Sequence, residues 1–246
     1  MLLPSTRIKR MKPFALTLIC TLAFTSTLSM LGQSAGPGSR PGLGRERGQP
    51  GVFTSAAVPA SDREKELLSI LEDMNQNQRR GSMSVPTEDG RILRMFTEST
   101  GAKHVVEIGT SIGYSGIWFC LALEKTGGRL TTFEIDEGRA SKARENFKRA
   151  KVEKLVTMVM GDAHERVKEL KEPIDILFLD ADKEGYVDYL NTLLPLVRPG
   201  GLVIAHNMSA SQADPRFVKA ITTNPQLETL FLNVERSGIG VSMKKH

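Results

Sequence analysis

The chain is poor in cysteine, with only Cys20 and Cys120 among its 246 residues. Neither the number nor the spacing of these two residues supports a disulfide framework or a thiolate metal site. The sequence therefore excludes a small disulfide-stabilised scaffold and a cysteine-ligated metal domain. Cys120 lies in an apolar segment and is expected to fill space in the core, as free cysteines commonly do.

The part of the chain that is predicted to fold also lacks net charge. The 33 Lys and Arg residues and 28 Asp and Glu residues give a formal charge of +5 and a pI near 9.2. Seven of the basic residues and one acidic residue lie in residues 1–60, which leaves 26 basic and 27 acidic residues in residues 61–246. The basic pI describes the N-terminal segment, so it gives no support for nucleic-acid binding.

The N-terminal segment combines positive charge with one apolar stretch. Residues 1–12 are basic, and residues 14–31 are apolar with interspersed Thr and Ser. This pattern predicts a signal peptide or a membrane anchor over residues 1–35, unless translation begins further downstream. Residues 36–60 are rich in Gly, Pro and Arg and are predicted to be a flexible linker. The folded domain is predicted over residues 61–246.

The predicted domain begins with two helices and continues with alternating strands and helices. A capping box at Ser61 starts the first helix, and Pro86 starts the second. From His104 onward, five apolar runs alternate with amphipathic segments, which predicts five βα units. These units predict a doubly wound α/β sheet with helices on both faces.

The C-terminal part of the predicted domain departs from the simple alternation of strands and helices. The helix before the fifth strand is expected to extend through Val197 and to stop at the Pro199 turn, with the strand beginning at Leu202. Two further strands, residues 227–232 and 239–243, are joined by a turn too short for a crossover helix. They are therefore predicted to form an antiparallel hairpin at the end of the chain.

The stretch from His104 to Gly116 is the most informative one. An apolar strand carrying Glu107 runs directly into a loop with Gly109 and Gly113, and a helix is predicted to follow. This order is typical of a nucleotide site, because free N–H groups at the helix N-terminus can bind the ligand. The spacing G-x-x-x-G-x-x-G differs from the dinucleotide pattern G-x-G-x-x-G, and the nearby acid would repel a pyrophosphate. The loop therefore favours a ligand with a cationic centre, such as S-adenosylmethionine, over NAD.

Polar residues follow directly on each of the five predicted parallel strands. They are Glu107, Glu134, Asp162, Asp180 and the pair His206 and Asn207. Doubly wound sheets bind ligands at the carboxyl ends of their strands, so these residues are expected to share one site. Glu134 is predicted to accept the two hydroxyls of a ribose, or else to stabilise the dipole of the next helix. Asp162 with Ala163 is predicted to meet an adenine amino group, or else to cap a helix.

Several of these segments resemble the small class I O-methyltransferases that include the catechol and caffeoyl-CoA O-methyltransferases. The resemblance rests on VVEIGTSIGYSG, TFEID, GDA, ILFLDADKEGY and RPGGLVIAHN, and it covers residues 61–245. It implies a Rossmann-like sheet of seven strands with the last one antiparallel, which agrees with the predicted hairpin. It also implies a homodimer.

The resemblance implies an S-adenosylmethionine site made from the glycine loop and the strand ends. The segment Met83 to Val85 matches the loop that covers the cofactor in this family. The implied cofactor-binding residues are Met83, Val85, Glu107, Gly109, Ser111, Gly113, Ser115, Glu134, Asp162, Ala163 and Asp180.

The resemblance also implies a catalytic site. In this family a divalent metal, held by two Asp and one Asn, stabilises the deprotonated acceptor oxygen while a Lys acts as the general base. Asp180 matches the first Asp, Lys183 the base and Asn207 the Asn, whereas His206 replaces the second Asp. A site of Asp180, His206 and Asn207 would favour Mn²⁺, Fe²⁺ or Zn²⁺ over Mg²⁺. Alternatively, His206 shares the role of base with Lys183 without a metal, or it only forms a hydrogen bond at the strand end.

Three functions remain at this point. The first is methyl transfer from S-adenosylmethionine to a hydroxyl of a small, catechol-like aromatic acceptor. The second is a noncatalytic S-adenosylmethionine-binding domain, which the apolar N-terminal segment favours because an exported enzyme would lack its cytosolic cofactor. The third is an NAD-type oxidoreductase, which the glycine spacing disfavours. The same N-terminal segment indicates an exported or membrane-attached protein, whereas cofactor supply argues for access to the cytosol.

Overall fold

The computed structural model describes residues 55–246, and the predicted signal peptide or anchor and most of the predicted linker lie outside this range. The α-helices of the described part are α1 Asp62–Asn77, α2 Thr87–Ser99, α3 Tyr114–Thr126, α4 Glu137–Arg149, α5 Ala163–Arg166, α6 Tyr186–Leu193 and α7 Pro215–Thr223. The strands are β1 His104–Ile108, β2 Arg129–Glu134, β3 Val156–Met160, β4 Ile174–Leu179, β5 Val197–His206, β6 Leu227–Leu232 and β7 Ile239–Lys244. Over residues 55–246, each helix is too short or too polar to cross a bilayer.

The strands form one seven-stranded sheet in the order β3-β2-β1-β4-β5-β7-β6. The pairs among β1 to β5 are all parallel, and β7 is antiparallel to both of its neighbours. The predicted doubly wound sheet with an antiparallel last strand is thereby confirmed. Strand order reverses between β1 and β4, which is where sheets of this kind bind their ligands.

Helices cover both faces of the sheet. On one face, α1 to α4 contribute large buried side chains such as Leu67, Trp118 and Phe147. On the other face, α6 and α7 contribute Tyr186 and Phe217. Every residue of β1 is buried, as expected for a central parallel strand that is covered on both sides.

Helix α1 begins at the predicted cap residue, Ser61, with a change in detail. Ser61 Oγ accepts a hydrogen bond from the backbone N–H of Glu64 at 3.1 Å and so caps α1. The Glu64 side chain, however, forms an ion pair with Arg94 Nη2 of α2 at 2.6 Å. Only the hydrogen bond from the Glu64 backbone to Ser61 forms within α1, and the Glu64 side chain joins α1 to α2 instead.

The predicted boundary before the fifth strand was wrong. Helix α6 ends at Leu193, and β5 begins at Val197 rather than at Leu202. Val197 pairs with Ile174 and Leu202 pairs with Ile176, so β5 bulges away from β4 between these pairs. The Pro-Gly-Gly sequence marks a bulge inside the strand, because proline and glycine are tolerated where ladder hydrogen bonds are interrupted.

Helices α2 and α3 approach each other closely at Gly90. A Cβ atom at Gly90 would lie only 2.3 Å from Trp118 Cδ1, so the contact requires glycine. The preceding residue, Asp89, is 1% exposed and is held by this contact near the carboxyl ends of the strands. The packing of two helices thus fixes the position of a buried acid.

We expect Gly90→Ala to lower the free energy of unfolding by about 1–3 kcal/mol, because the added methyl group overpacks the contact with Trp118. Urea-induced unfolding of the full-length chain measures this change. Gly138→Ala is the matched control, since a Cβ there meets only Asp136 Oδ1, at 3.2 Å. The control is expected to be neutral or slightly stabilising, and equal stability of the two variants would contradict the close-contact explanation.

Candidate functional site

A cavity of about 760 Å³ opens at the carboxyl ends of the parallel strands. This volume lies within the range of sites for small molecules and cofactors. The cavity is lined by many of the residues that the sequence singles out, which come from six separate segments of the chain. They are Met83, Gly109, Ser111, Glu134, Asp162, Ala163, Asp180, Lys183, His206 and Asn207.

Four predicted cofactor-binding residues lie behind the cavity wall instead. Val85 is 1% exposed and packs in the core against the helices of one face. Gly113 is the N-cap of α3, and its φ of 83° is a conformation that glycine adopts readily. Glu107 and Ser115 are buried and hydrogen-bonded to each other beneath the loop. These four residues support the wall, and the structure places none of them among the lining side chains.

The glycine loop is held tightly between β2 and β4. A Cβ atom at Gly109 would lie 2.4 Å from the carbonyl oxygen of Asp180, and its φ is 103°. The backbone N–H of Gly109 donates to the carbonyl of Phe133, and that of Asp180 donates to the carbonyl of Ile108. The first glycine of the predicted motif is thus required by the approach of the β4 end.

Glu107 is a fully buried carboxyl group under the loop. It accepts hydrogen bonds from Ser115 Oγ at 2.5 Å and Thr132 Oγ1 at 2.6 Å. Burial raises the pKa of Glu107 to about 7, although both hydrogen bonds oppose this effect. Glu107 therefore joins β1 to α3 and β2 and carries a carboxyl group that titrates near neutral pH.

Glu134 lies at the cavity edge and is held by several donors. Its carboxylate accepts from the backbone N–H of Ser111 at 2.7 Å and of Asp136 at 2.9 Å. Arg139 Nη2 lies 3.2 Å from the same carboxylate. The cap of α4 is Asp136, which accepts from the backbone N–H of Arg139. The helix-capping role thus belongs to Asp136, and Glu134 faces the cavity.

Asp162 both lines the cavity and caps a helix. Its Oδ1 accepts a hydrogen bond from the backbone N–H of His164 at 2.9 Å at the start of α5. The His164 ring stacks on Tyr189, with ring centroids 4.5 Å apart and an angle of 24° between the planes. Tyr189 in turn donates a hydrogen bond to Asp182 Oδ1 at 2.8 Å. Together these residues offer an aromatic wall and carboxylates to the cavity, which suits a flat heterocycle with an amino group.

Lys183 also lines the cavity. Its Nζ donates to the hydroxyl of Tyr186 at 2.8 Å and lies 3.5 Å from Asp180 Oδ1. Burial lowers the pKa of Lys183, and the charge of Asp180 offsets part of this effect. A lysine whose neutral form is favoured by burial can accept a proton from a bound ligand.

His206 lies between two carboxylates. Its Nδ1 is 3.1 Å from Asp180 Oδ1, and its Nε2 is 3.0 Å from Asp89 Oδ2. Ser237 Oγ donates to the same oxygen of Asp89 at 2.8 Å. Burial by itself lowers the pKa of His206, but the hydrogen bonds to Asp180 and Asp89 outweigh it and raise the pKa to about 9.

The predicted metal-ligating residues come together, but their arrangement does not fit a metal ion. Asp180, His206 and Asn207 all line the cavity. Both ring nitrogens of His206, however, point at carboxylate oxygens of this chain, so neither presents a lone pair to a metal. Within residues 55–246, no cluster of three His, Cys, Asp or Glu side chains is arranged to hold a metal ion.

Sequence reasoning missed several residues of this site. Arg139 and Asp182 carried a usable signal, because each follows a predicted strand-end acid within a few residues. Tyr189 lies on the buried side of α6 but was not distinguished from core residues. Asp89 and Ser237 gave no signal, since only the folded structure brings them next to His206.

The chain is similar to known proteins in both sequence and structure. Residues 58–236 match the sequence profile of a family described as O-methyltransferase. The chain is 38% identical over 131 residues to a catechol O-methyltransferase of Niastella koreensis, covering 52% of this chain and 59% of that protein. It is 36% identical over 163 residues to tapetum-specific methyltransferase 1 of Arabidopsis thaliana, covering 63% of this chain and 68% of that protein. The match thus spans less than two thirds of the Niastella protein.

Among solved structures, the chain is similar to an O-methyltransferase from Bacillus cereus in complex with SAH. The TM-score is 0.62 at 29% identity, and the match covers 76% of this chain and 93% of the other. The similarity therefore extends over nearly the whole of that solved fold.

We expect Glu107→Gln to change how stability depends on pH. Because folding raises the pKa of Glu107 from 4.5 to about 7, its carboxyl favours the folded state below pH 4.5, and this contribution is lost as the pH rises through 7. Glutamine has no such transition, so the variant should gain on the order of 3 kcal/mol relative to the unmodified chain between pH 4 and pH 8.

Urea unfolding of the full-length chain at both pH values measures this difference. Glu145→Gln, at an exposed position of α4, is the control and should show no pH-dependent gain. A Glu107→Gln variant whose relative stability stays constant across this range would show that Glu107 does not titrate as described.

Proposed function

Because the chain belongs to the O-methyltransferase family, we propose that it transfers the methyl group of S-adenosylmethionine to a hydroxyl of a small, catechol-like aromatic acceptor. The observation that carries this proposal is the set of residues that line one cavity. Gly109 of the glycine loop, Glu134, Asp180 and Lys183 all line it. Residues that can bind a cofactor and a base within one cavity are what a group transfer requires.

The cofactor is proposed to lie along the carboxyl ends of β1 to β4. Glu134 accepts the ribose hydroxyls, and the adenine lies beside Asp162 and against the stacked rings of His164 and Tyr189. The amino acid part lies against Gly109 and Ser111 of the glycine loop, which line the cavity. The similarity to an O-methyltransferase structure in complex with SAH supports this placement.

The acceptor is proposed to bind at the end of the cavity where Lys183 and His206 lie. A phenol has a pKa of about 10, so its proton has to leave as the new bond forms. In this reaction the hydroxyl proton moves to Lys183 Nζ, and an oxygen lone pair attacks the methyl carbon. The carbon–sulfur bond breaks as the carbon–oxygen bond forms and leaves its electron pair on sulfur, which yields a methyl ether and S-adenosylhomocysteine. Burial of Lys183 supports its role as the base.

The acceptor class is supported by the relatives. One of them is named a catechol O-methyltransferase, and it matches this chain over 131 residues. Met83 is 65% exposed and lines the cavity, so an apolar side chain is available beside an entering ligand. A flat aromatic ring with adjacent hydroxyls fits a cavity that combines such apolar contacts with Lys183.

The test is calorimetric titration of the full-length chain with S-adenosylmethionine, followed by methyl transfer to a panel of catechols. Binding together with turnover of a catechol is the expected result. Binding without turnover on any acceptor would favour the noncatalytic alternative. An absence of binding would overturn the cofactor assignment, and with it the proposed reaction.

We expect Lys183→Gln to lower kcat by about 100- to 10,000-fold, which is the usual contribution of a general base. The dissociation constant for S-adenosylmethionine should change by less than about threefold, because the proposed ribose and adenine contacts are made by Glu134, Asp162 and the His164 and Tyr189 rings. Steady-state kinetics and calorimetry measure the two quantities. Lys142→Gln, at an exposed position of α4, is the matched control and should retain full activity. Retention of kcat in Lys183→Gln would assign the base to another group.

A further inference from the structure

A continuous chain of polar contacts runs from the cavity into the protein interior. Lys183 Nζ lies 3.5 Å from Asp180 Oδ1, and the same oxygen lies 3.1 Å from His206 Nδ1. His206 Nε2 lies 3.0 Å from Asp89 Oδ2, which also accepts from Ser237 Oγ. These five residues, which we call the polar chain, come from four separate parts of the fold: the segment after β4, the end of β5, the start of α2 and the turn before β7.

The donors and acceptors of the polar chain determine the state of the His206 ring. An ionised carboxylate only accepts hydrogen bonds, so a ring nitrogen that contacts one has to carry a hydrogen. Both nitrogens of His206 contact carboxylates, one from Asp180 and one from Asp89. A ring with hydrogens on both nitrogens is a cation, so contact with two ionised carboxylates requires a positively charged ring.

The burial of Asp89 also indicates that the His206 ring is positively charged. Asp89 is 1% exposed and His206 is 5% exposed. A buried carboxylate without a countercharge is strongly destabilising, whereas a pair with good hydrogen bonds is tolerated. The ion-pair partner of Asp89 in the structure is His206. A neutral ring would leave Asp89 buried and uncompensated.

A cationic ring excludes two roles for His206. It has no lone pair for a metal ion, which is why the residues that resemble a metal site do not fit one. It also has no free nitrogen that could take a proton from an acceptor, so the role of base falls to Lys183 alone. What the ring offers at the cavity wall is a fixed positive charge, at a place where a deprotonating hydroxyl develops negative charge.

We propose that the acceptor site of this chain works without a divalent metal ion, and that the His206 ring, bridging Asp89 and Asp180, supplies its positive charge. This proposal rests on the proposed methyl transfer. The hydroxyl proton goes to Lys183, the methyl carbon changes its bond from sulfur to oxygen, and His206 keeps both of its hydrogens throughout. Asp89 does not line the cavity and is a positioning residue that acts through His206, with Ser237 holding its carboxylate.

The first test asks whether the site needs or binds a metal ion. Methyl transfer by the full-length chain is expected to be unchanged by EDTA and by added Mg²⁺ or Mn²⁺, and calorimetry with Mn²⁺ alone should show no binding. His206→Asp places a third carboxylate beside Asp89 and Asp180, and this variant is expected to bind Mn²⁺. Chelator-sensitive activity of the unmodified chain, restored by a divalent ion, would overturn the proposal.

The second test observes the ring directly and does not depend on any substrate. Nitrogen NMR of the full-length chain with labelled histidine at pH 7.5 should show both nitrogens of His206 in the protonated form. Asp89→Asn should shift these signals toward the neutral ring and lower kcat at least tenfold, with the affinity for S-adenosylmethionine unchanged. Asp73→Asn is the matched control, because this acid pairs with Arg149 at the surface and should alter neither quantity.

The outcomes separate this proposal from the proposed function. If no acceptor is methylated, the methyl-transfer proposal fails, and the NMR and Mn²⁺ results still decide the state of His206. If methylation occurs but His206 is neutral, or if the unmodified chain binds Mn²⁺ at this site, the metal-free proposal fails and methyl transfer stands. If a variant does not fold, the measurements on the unmodified chain can still be made, and they are sufficient to overturn the proposal.

Discussion

Several acidic side chains lie close together at the C-terminal ends of the parallel strands. Each of them has to be stabilised by hydrogen bonds or by a positive charge from another part of the protein. Glu107 is fully buried, and its pKa is raised to about 7 by that burial. Glu134 is held by backbone N–H groups and by Arg139. Asp89 and Asp180 share the His206 ring. Like charges that lie close together are unfavourable in a low-dielectric interior. The fold therefore stabilises these carboxyl groups by three separate sets of contacts around one cavity.

The means of compensation differ because the positions differ. Glu107 lies beneath the glycine loop, where only the hydroxyls of Ser115 and Thr132 reach it. Glu134 stands next to the start of α4, where backbone N–H groups are free to donate. Each of these three sets of contacts also has a role at the cavity. The first supports the loop, the second orients a carboxylate toward the cavity, and the third fixes the His206 ring at its wall.

The fold could be predicted from the sequence largely because its signals are local. Apolar runs followed by polar residues located the five parallel strands, and the short connection before β7 indicated the antiparallel hairpin. The start of β5 could not be located in this way. The Pro-Gly-Gly sequence ordinarily ends an element, and only pairing with β4 shows that it forms a bulge within one.

The site was predictable to the extent that it lies at strand ends. Glu134, Asp180 and Lys183 could be assigned to the cavity from their positions in the sequence. Asp89 could not, because it lies on α2, far from His206 along the chain, and reaches it only through the close packing of Gly90 on Trp118. A contact of this kind is set by the tertiary structure, and no spacing rule indicates it.

The bridged histidine has a consequence for the conditions under which such a site can operate. A bound metal ion is drawn from the surroundings, so a site that relies on one varies with the supply of that ion and with competing ions. A charge carried by a side chain is present in every folded copy, one per molecule. In the proposed metal-free site, the presence of this charge would be set by translation and folding and not by the metal-ion content of the surroundings.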